Sequence, residues 1–188
     1  MFILASQSPQ RSDILRNIGI SFEVIPSHID ESSVTERDPI KRALLLAQAK
    51  AESVSKNYPD RWVIGADTLV VSADHELLEK PVDADDARRM LRLHSGRTSV
   101  VHSALALKRG QERKAGISTA SVTFRKLTDE DIEWWIGTKL WQDRSGAFQI
   151  EGEGQKIIEG FAGELETIVG FPVSLFRQMC AGYGISAQ

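Results

Sequence analysis

Near the start of the chain, the apolar residues form a short continuous run, then a stretch with helical spacing, and then a stretch that alternates with polar residues. FILA at residues 2–5 is a short apolar run typical of a buried strand. PQRSDILRNIG at residues 9–19 has helical spacing, with Ile14, Leu15 and Ile18 on one face and Gly19 as a stop. SFEVIPS at residues 21–27 alternates as a strand does. The pattern predicts a strand, a helix and a second strand.

The same periodicities continue through the rest of the chain. Helices are predicted for PIKRALLLAQAKAESVSKNY, for DADDARRMLRLHSG with Asp83 as its cap, for TDEDIEWWIGT from Thr128, and for PVSLFRQMCAGYG. Strands are predicted for RWVIGADTLVVS, for two antiparallel segments within residues 97–127, and for the short pieces AFQIE, KIIEGF and ETIVG. Helices interleaved with strands, plus one hairpin, indicate an α/β fold around a mixed sheet.

Composition narrows the function classes. A chain of 188 residues with 41% hydrophobic content can bury one core, so we expect a single domain over residues 1–188. The net charge of −3 argues against binding a nucleic acid polymer, although a small anion could still be recognised locally. The single cysteine, Cys180, suits a reducing compartment, and no run of eighteen apolar residues occurs. We therefore expect a cytoplasmic protein without a membrane segment.

The loop before the first helix has two interpretations. Plain capping accounts for Ser8 at the cap position and Pro9 at the first helical position. A helix entrance after a strand is also a ready anion site, to which Ser6 and Arg11 would add a hydroxyl donor and a fixed positive charge.

VIGADTLVV contains polar residues in an otherwise apolar strand. Asp67 and Thr68 interrupt the run, and a buried carboxylate is costly without partners. Asp67 is either hydrogen-bonded to nearby backbone or a metal ligand or general base at the edge of the sheet. Lys80, twelve residues after Thr68, lies in a loop where its ammonium is either solvated or within reach of the same site.

Three weaker candidates complete the set. Asp30 and Glu31 form an acidic loop that could bind a divalent cation, and Lys50 is one of several helix lysines, for which a solvated face is the plain expectation. In DRSGAFQIEGEGQK, glycines alternate with Gln149, Glu151 and Glu153, which suits a ligand loop or ordinary turns.

Familiar catalytic motifs are absent from the sequence. No G-x-x-x-x-G-K-S/T loop, dinucleotide fingerprint, G-x-S-x-G elbow or H-E-x-x-H spacing occurs. The four histidines lie apart, so each is expected to be a surface or internally hydrogen-bonded residue rather than a zinc ligand.

The candidate stretches occur in an order that resembles the Maf family of nucleotide pyrophosphatases over essentially the whole chain. ASQSPQR is similar to the family signature S-x-S-P-R-R with one change. The other matching stretches follow in family order: IDE, LAQAKA, IGADTLV, EKP, LHSGRTSVV, VTFRKLTDEDI, the glycine segment and IVGFPV.

The resemblance implies hydrolysis of a nucleoside triphosphate between its α and β phosphates, with Mg²⁺ or Mn²⁺. It implies a long mixed sheet flanked by helices around a central cleft, similar to the inosine triphosphatase fold. Proteins of this family are commonly dimers, so the resemblance also makes a homodimer the expected assembly. Asp67 would be catalytic and would share the metal with Glu31. The phosphate-binding residues would be Ser6, Ser8, Arg11, Lys50 and Lys80, and the base-recognition residues Thr68, Gln149 and Glu151.

Two departures from the family pattern bear on the substrate. Gln10 replaces the first of two arginines. Phe148 and Glu151 are shared with family members that prefer 7-methyl-GTP, so the resemblance gives a lean toward a methylated purine. The implied role is removal of non-standard, methylated or excess nucleotides. The alternative is a nucleotide-binding module that influences cell division without turnover, but the presence of Asp67, Lys50, Lys80 and Glu31 favours an enzyme.

Overall fold

The computed structural model describes residues 1–181, which form a mixed sheet of seven strands with helices around it. The strand order is β2-β1-β3-β5-β6-β7, and β4 pairs with β3 off this path. The strands are β1 (Phe2–Leu4), β2 (Phe22–Val24), β3 (Val63–Val71), β4 (Leu77–Leu78), β5 (Thr98–Arg109), β6 (Glu112–Phe124) and β7 (Ile158–Ala162). The α/β fold class with a mixed sheet is confirmed.

The described residues also contain six α-helices. They are α1 (Pro9–Asn17), α2 (Pro39–Ser55), α3 (Ala84–His94), α4 (Asp129–Thr138), α5 (Leu165–Val169) and α6 (Val173–Ala181). The predicted caps hold for α3 and α4, because Asp83 accepts from the Asp86 amide and Thr128 forms a reciprocal capping box with Asp131. Gly19 follows α1 with a φ of 74°, as predicted for a helix stop.

The sheet contains both kinds of strand pairing. β1 pairs in parallel with β2 and with β3. β4 pairs antiparallel with β3, and β7 pairs antiparallel with β6. Two side-chain pairs, Thr98 with Thr123 and His102 with Thr119, join β5 to β6 in antiparallel register. The predicted hairpin is confirmed.

Two strand predictions are wrong. AFQIE is irregular because Gly146 and Ala147 adopt φ values of 73° and 59°, which no extended strand accommodates. ETIVG forms most of the short helix α5, where the Thr167 amide donates to the Glu164 carbonyl. Glycines with positive φ, Gly163 and Gly170, lie at either end of that helix and limit its length.

Contacts divide the chain into two compact units, so the expectation of one domain stays a prediction. The first unit contains Met1–Asp67, Ser103–Ser118 and the described residues from Val169 onward. Its core is built from β1, β3, α1 and α6, and includes Leu15, Ile64, Phe171 and Phe176. Cys180 belongs to this core, and burial raises the pKa of its thiol to about 11.

The second unit contains Thr68–His102 and Thr119–Ile168. In it, Phe124, Phe148 and His94 form one ring cluster, and Trp135 donates from its indole nitrogen to the Ala147 carbonyl. The neighbouring Trp134 is partly exposed and carries the Lys156 ammonium over its ring. None of the helices in residues 1–181 combines the length and apolar character needed to cross a bilayer. The last part of the predicted closing helix, residues 182–184, lies outside the described residues.

Candidate active site

The loop between β1 and α1 places a hydroxyl and a guanidinium together. Ser8 occupies the cap position of α1, as predicted, but its side chain makes no capping bond and its hydroxyl donates to Gln10 Oε1 at 2.9 Å. Ser6 Oγ instead accepts from the Ser8 amide at 3.2 Å and from Arg11 Nη1 at 3.1 Å. Both lone pairs of the Ser6 hydroxyl are therefore used, and its O–H is left to donate.

Arg11 is a half-buried, fixed positive charge. Its Nε donates to the Gly170 carbonyl at 3.0 Å, which anchors the guanidinium beside Ser6. Burial lowers the pKa of Arg11, and the negative charges of Asp67 and Glu31 act against that shift. An arginine starts so far above neutral pH that it keeps its charge, so Arg11 presents a cation near these two carboxylates.

Asp67 lies in the middle of β3 and is almost completely buried. One of its oxygens, Oδ1, accepts from Lys50 Nζ at 2.6 Å. The other, Oδ2, is buried and has no hydrogen-bond partner among the described residues. A buried carboxylate oxygen without a partner carries a desolvation cost, which a ligand, a water or a metal ion would relieve.

Lys50 links the two acidic residues that the sequence singled out. Its ammonium contacts Glu31 Oε1 at 3.0 Å as well as Asp67 Oδ1. The Lys50 side chain is only 10% exposed, so the expectation of a solvated helix face is wrong at this position. Residues from three separate segments, namely the short turn Glu31–Ser33, α2 and β3, therefore meet at one ammonium group.

Gly65 explains how α2 comes close enough to β3 for this contact. A Cβ at Gly65 would lie 2.0 Å from the Ala47 carbonyl oxygen and 2.7 Å from the Ala51 amide nitrogen. Only glycine leaves room for the backbone of α2 at this point. Because side chains alternate along a strand, Gly65 and Asp67 lie on the same face of β3, toward α2.

The remaining predicted site residues belong to the second unit. The Lys80 ammonium lies 4.0 Å from Asp143 Oδ1 and its side chain is 63% exposed, which matches the solvated alternative. The Thr68 carbonyl accepts from the Ser145 hydroxyl at 3.2 Å. Gln149 is held at both ends of its amide, since Arg144 donates to Oε1 at 3.2 Å and Nε2 donates to the Glu151 carbonyl at 3.0 Å.

Arg144 is a residue of this segment that the sequence analysis missed. Burial lowers the pKa of its guanidinium, and the charges of Glu151 and Asp143 oppose that shift. Arg144 therefore provides a positive charge close to the Glu151 carboxylate. An arginine in an irregular segment carries no periodic signal that would have identified it.

His94 supports the same segment from α3. Its Nε2 lies 2.8 Å from the Gly146 carbonyl and its Nδ1 lies 2.7 Å from Ser99 Oγ. A carbonyl can only accept, so Nε2 carries the proton and Nδ1 accepts from the serine hydroxyl. The ring stacks on Phe124 at 4.3 Å, and the expectation of an internally hydrogen-bonded histidine is confirmed here.

This burial makes stability depend on pH. Burial lowers the pKa of His94 from 6.5 to about 4, so between these values the unfolded chain binds a proton that the folded chain does not. As the pH falls from 7.5 to 5, we expect this difference in proton binding at His94 to lower the free energy of unfolding by about 2 kcal/mol. Urea titrations across this range measure it. The variant His94→Gln should show a shallower decline, and an equally steep one would contradict the assignment.

The two carboxylates suit a divalent cation that binds together with substrate. Residues 1–181 contain no group of three or more His, Cys, Asp or Glu side chains placed to hold a metal ion. Mg²⁺ is commonly held by one or two carboxylates, with phosphate oxygens and waters completing its shell. Glu31 and Asp67 supply that number, and Asp67 Oδ2, which has no hydrogen-bond partner within residues 1–181, could serve as an oxygen donor to the ion.

The chain is similar to known proteins over most of its length. The chain is 38% identical to a dTTP/UTP pyrophosphatase of Deinococcus radiodurans, over 98% of this chain and 94% of that protein. It is 36% identical to a dTTP/UTP pyrophosphatase of Pyrococcus furiosus, over 91% and 89% respectively. Among solved structures it is similar to a HAM1 protein from Coxiella burnetii, with a TM-score of 0.44, 16% identity, and coverage of 64% of this chain and 71% of that one. The model of the family described as "Maf: Maf-like protein" matches residues 1–183, and this chain therefore belongs to the Maf family.

Proposed function

We propose that this chain is a nucleoside triphosphate pyrophosphatase that acts on UTP and dTTP. It breaks the α–β phosphoanhydride bond with one water molecule and releases the nucleoside monophosphate and pyrophosphate. The observation that carries the proposal is the buried Asp67 carboxylate, with one oxygen bonded to Lys50 and the other without a partner in the part of the chain that the structure describes. The names of the curated relatives support the same activity.

Phosphate binding falls to the start of α1. No acidic residue occupies the first turn of this helix, so its amide groups and dipole favour an anion there. The Ser6 hydroxyl can donate to a phosphate oxygen, and Arg11 adds a charge held in place by hydrogen bonds to Ser6 and Gly170. The negative charges of Asp67 and Glu31 also attract the Arg11 guanidinium. Ser8 contributes its hydroxyl at the cap position.

Lys50 and Lys80 are assigned to the charge that develops as pyrophosphate leaves. Lys50 is fixed by its two carboxylate partners, whereas Lys80 is a long, mostly exposed side chain that can reorient at low cost. Lysine suits this role because its ammonium is a compact charge on a flexible stem.

Glu31 and Asp67 are assigned to hold Mg²⁺ or Mn²⁺. The cation would offset phosphate charge and lower the pKa of a bound water. Asp67 would activate the attacking water in one of two ways, either by holding the metal ion or by acting as the base that takes the proton of the water. The burial of Asp67 keeps bulk water away from its oxygens and strengthens each of its electrostatic contacts.

The choice of UTP and dTTP replaces the lean toward 7-methyl-GTP. That lean rested on Phe148 and Glu151, and the comparisons do not support it, because the relatives reported above are named dTTP/UTP pyrophosphatases. The structure supplies a physical reason why Glu151 is a weak indicator. Arg144 already offsets the negative charge that would have favoured a cationic methylated base. The non-catalytic binding module is likewise not favoured.

A substrate panel tests the proposal. Pyrophosphate release would be measured for UTP, dTTP, CTP, GTP, 7-methyl-GTP and 5-methyl-UTP, each with Mg²⁺, with Mn²⁺ and with a chelator. We expect turnover of UTP and dTTP above the purine nucleotides, and loss of turnover in chelator. Faster release from 7-methyl-GTP would overturn the substrate assignment, and binding without release would overturn the enzyme.

A further inference from the structure

We propose that Lys50 acts as a built-in counter-ion that holds the cation position between Glu31 and Asp67 until a divalent cation displaces its ammonium. This inference rests on the proposed function for the later phosphate contact of Lys50. Cation binding alone, measured without nucleotide, tests it.

Lys50 contacts both of the carboxylates that are proposed to hold the cation. Lys50 Nζ lies 3.0 Å from Glu31 Oε1 and 2.6 Å from Asp67 Oδ1. Oxygens from both proposed metal ligands therefore converge on one nitrogen atom. A metal ion that used the same two carboxylates would compete with this ammonium for the same oxygens.

The charges of the side chains around Lys50 also favour displacement by a divalent cation. Arg11 and Lys50 carry two positive charges, and Asp67 and Glu31 carry two negative ones, so the cluster is balanced as it stands. A divalent cation brings twice the charge of an ammonium to the same carboxylates and so binds them more strongly at a given distance. Its arrival leaves the cluster with an excess of positive charge, which a triphosphate would offset.

Lys50 satisfies only one of the two oxygens of Asp67. The ammonium serves Asp67 Oδ1 but not Oδ2, which remains buried without a partner among the described residues. A strand carboxylate with one oxygen satisfied and one not is incompletely compensated by lysine. Lys50 itself has a long, flexible stem, so its ammonium can move while α2 stays in place.

The test compares Mn²⁺ binding to the full chain with and without this ammonium. Calorimetry or the electron paramagnetic resonance signal of free Mn²⁺ gives the dissociation constant in the absence of nucleotide. We expect Lys50→Met to bind Mn²⁺ about tenfold more tightly or better than wild type, because a competing cation is gone. The control is Lys41→Met, an exposed lysine of the same helix, which should match wild type. Equal or weaker binding by Lys50→Met would overturn the proposal.

A second measurement uses the wild-type chain, since Lys50→Met leaves a buried carboxylate without its cation and could fold poorly. Lysine side chains labelled with ¹⁵N give ammonium resonances, and the Lys50 signal is identified by its loss in Lys50→Arg. Adding Mg²⁺ without nucleotide should shift the Lys50 resonance and leave that of Lys41 in place. A Lys50 signal that stays unchanged while calorimetry shows Mg²⁺ binding would overturn displacement. Neither readout depends on pyrophosphate release, so the displacement of Lys50 and the proposed pyrophosphatase activity can be disproved independently.

Discussion

Asp67→Asn is expected to lower kcat/KM for pyrophosphate release by about 10³-fold, the scale of a lost general base or metal-bound nucleophile. Asparagine keeps the shape of the side chain and removes both its charge and its basicity. Its oxygen can still accept from Lys50, which also keeps its contact with Glu31, so the local fold should persist. Steady-state pyrophosphate release from UTP with Mg²⁺ measures the effect.

The matched control for this variant is Asp74→Asn. Asp74 is an exposed aspartate that forms an ion pair with Arg97, and loss of an exposed pair costs little. It should retain wild-type turnover. Circular dichroism and urea unfolding would check that both variants fold. A folded Asp67→Asn protein with activity within about tenfold of wild type would remove Asp67 from the catalytic role.

Gly65→Ala is expected to reduce the free energy of unfolding by about 3 kcal/mol or more, at the upper end of the range for overpacked cores. The added methyl group would meet the Ala47 carbonyl oxygen at 2.0 Å, and a backbone atom of a helix cannot rotate away as a side chain can. Relief requires α2 to move from β3, which would lengthen the contact between Lys50 and Asp67. Urea unfolding measures the stability, and pyrophosphate release should fall in parallel.

Gly137→Ala provides the control for the glycine prediction. Gly137 lies inside α4, and a Cβ there would meet nothing within 4 Å. Alanine is the better helix former, so this variant should be neutral or up to about 1 kcal/mol more stable. If Gly65→Ala were as stable as Gly137→Ala, the close approach of α2 would not be what Gly65 provides.

Hydrophobic periodicity predicted most of the fold because a long helix or strand repeats its pattern often enough to be recognised. α2, α3 and β3 have strong patterns over nine or more residues, and the cap Asp83 of α3 was identified from the sequence as well. AFQIE and ETIVG are five residues each, too short for a period to separate strand from turn or helix. Their conformation is set by left-handed backbone at Gly146 and Ala147 and by the flanking Gly163 and Gly170.

The candidate site was predictable by residue type but not by partner. Asp67 stood out as an acid in an apolar strand, whereas Lys50 looked like any helix lysine. Their contact depends on the register of α2 against β3, which sequence periodicity does not contain. Gly65 did offer a signal, since a glycine inside a strand often marks close backbone approach. The metal ions, the base-recognition role of Thr68, Gln149 and Glu151, and the homodimer stay predictions.

The position of β1 within the sheet bears on how the protein is made. β1 lies between β2 and β3, and its partner residues in β3 come about 60 residues later in the chain. At a synthesis rate of roughly 5–20 residues per second, β3 emerges from the ribosome about 3 to 12 s after β1. Until then the Ala5 amide lacks its Ile64 carbonyl partner, and the loop that carries Ser6 and Ser8 has no fixed starting point. The loop proposed to bind phosphate is therefore encoded at the start of the message but gains this backbone partner only after about 60 further residues have been made.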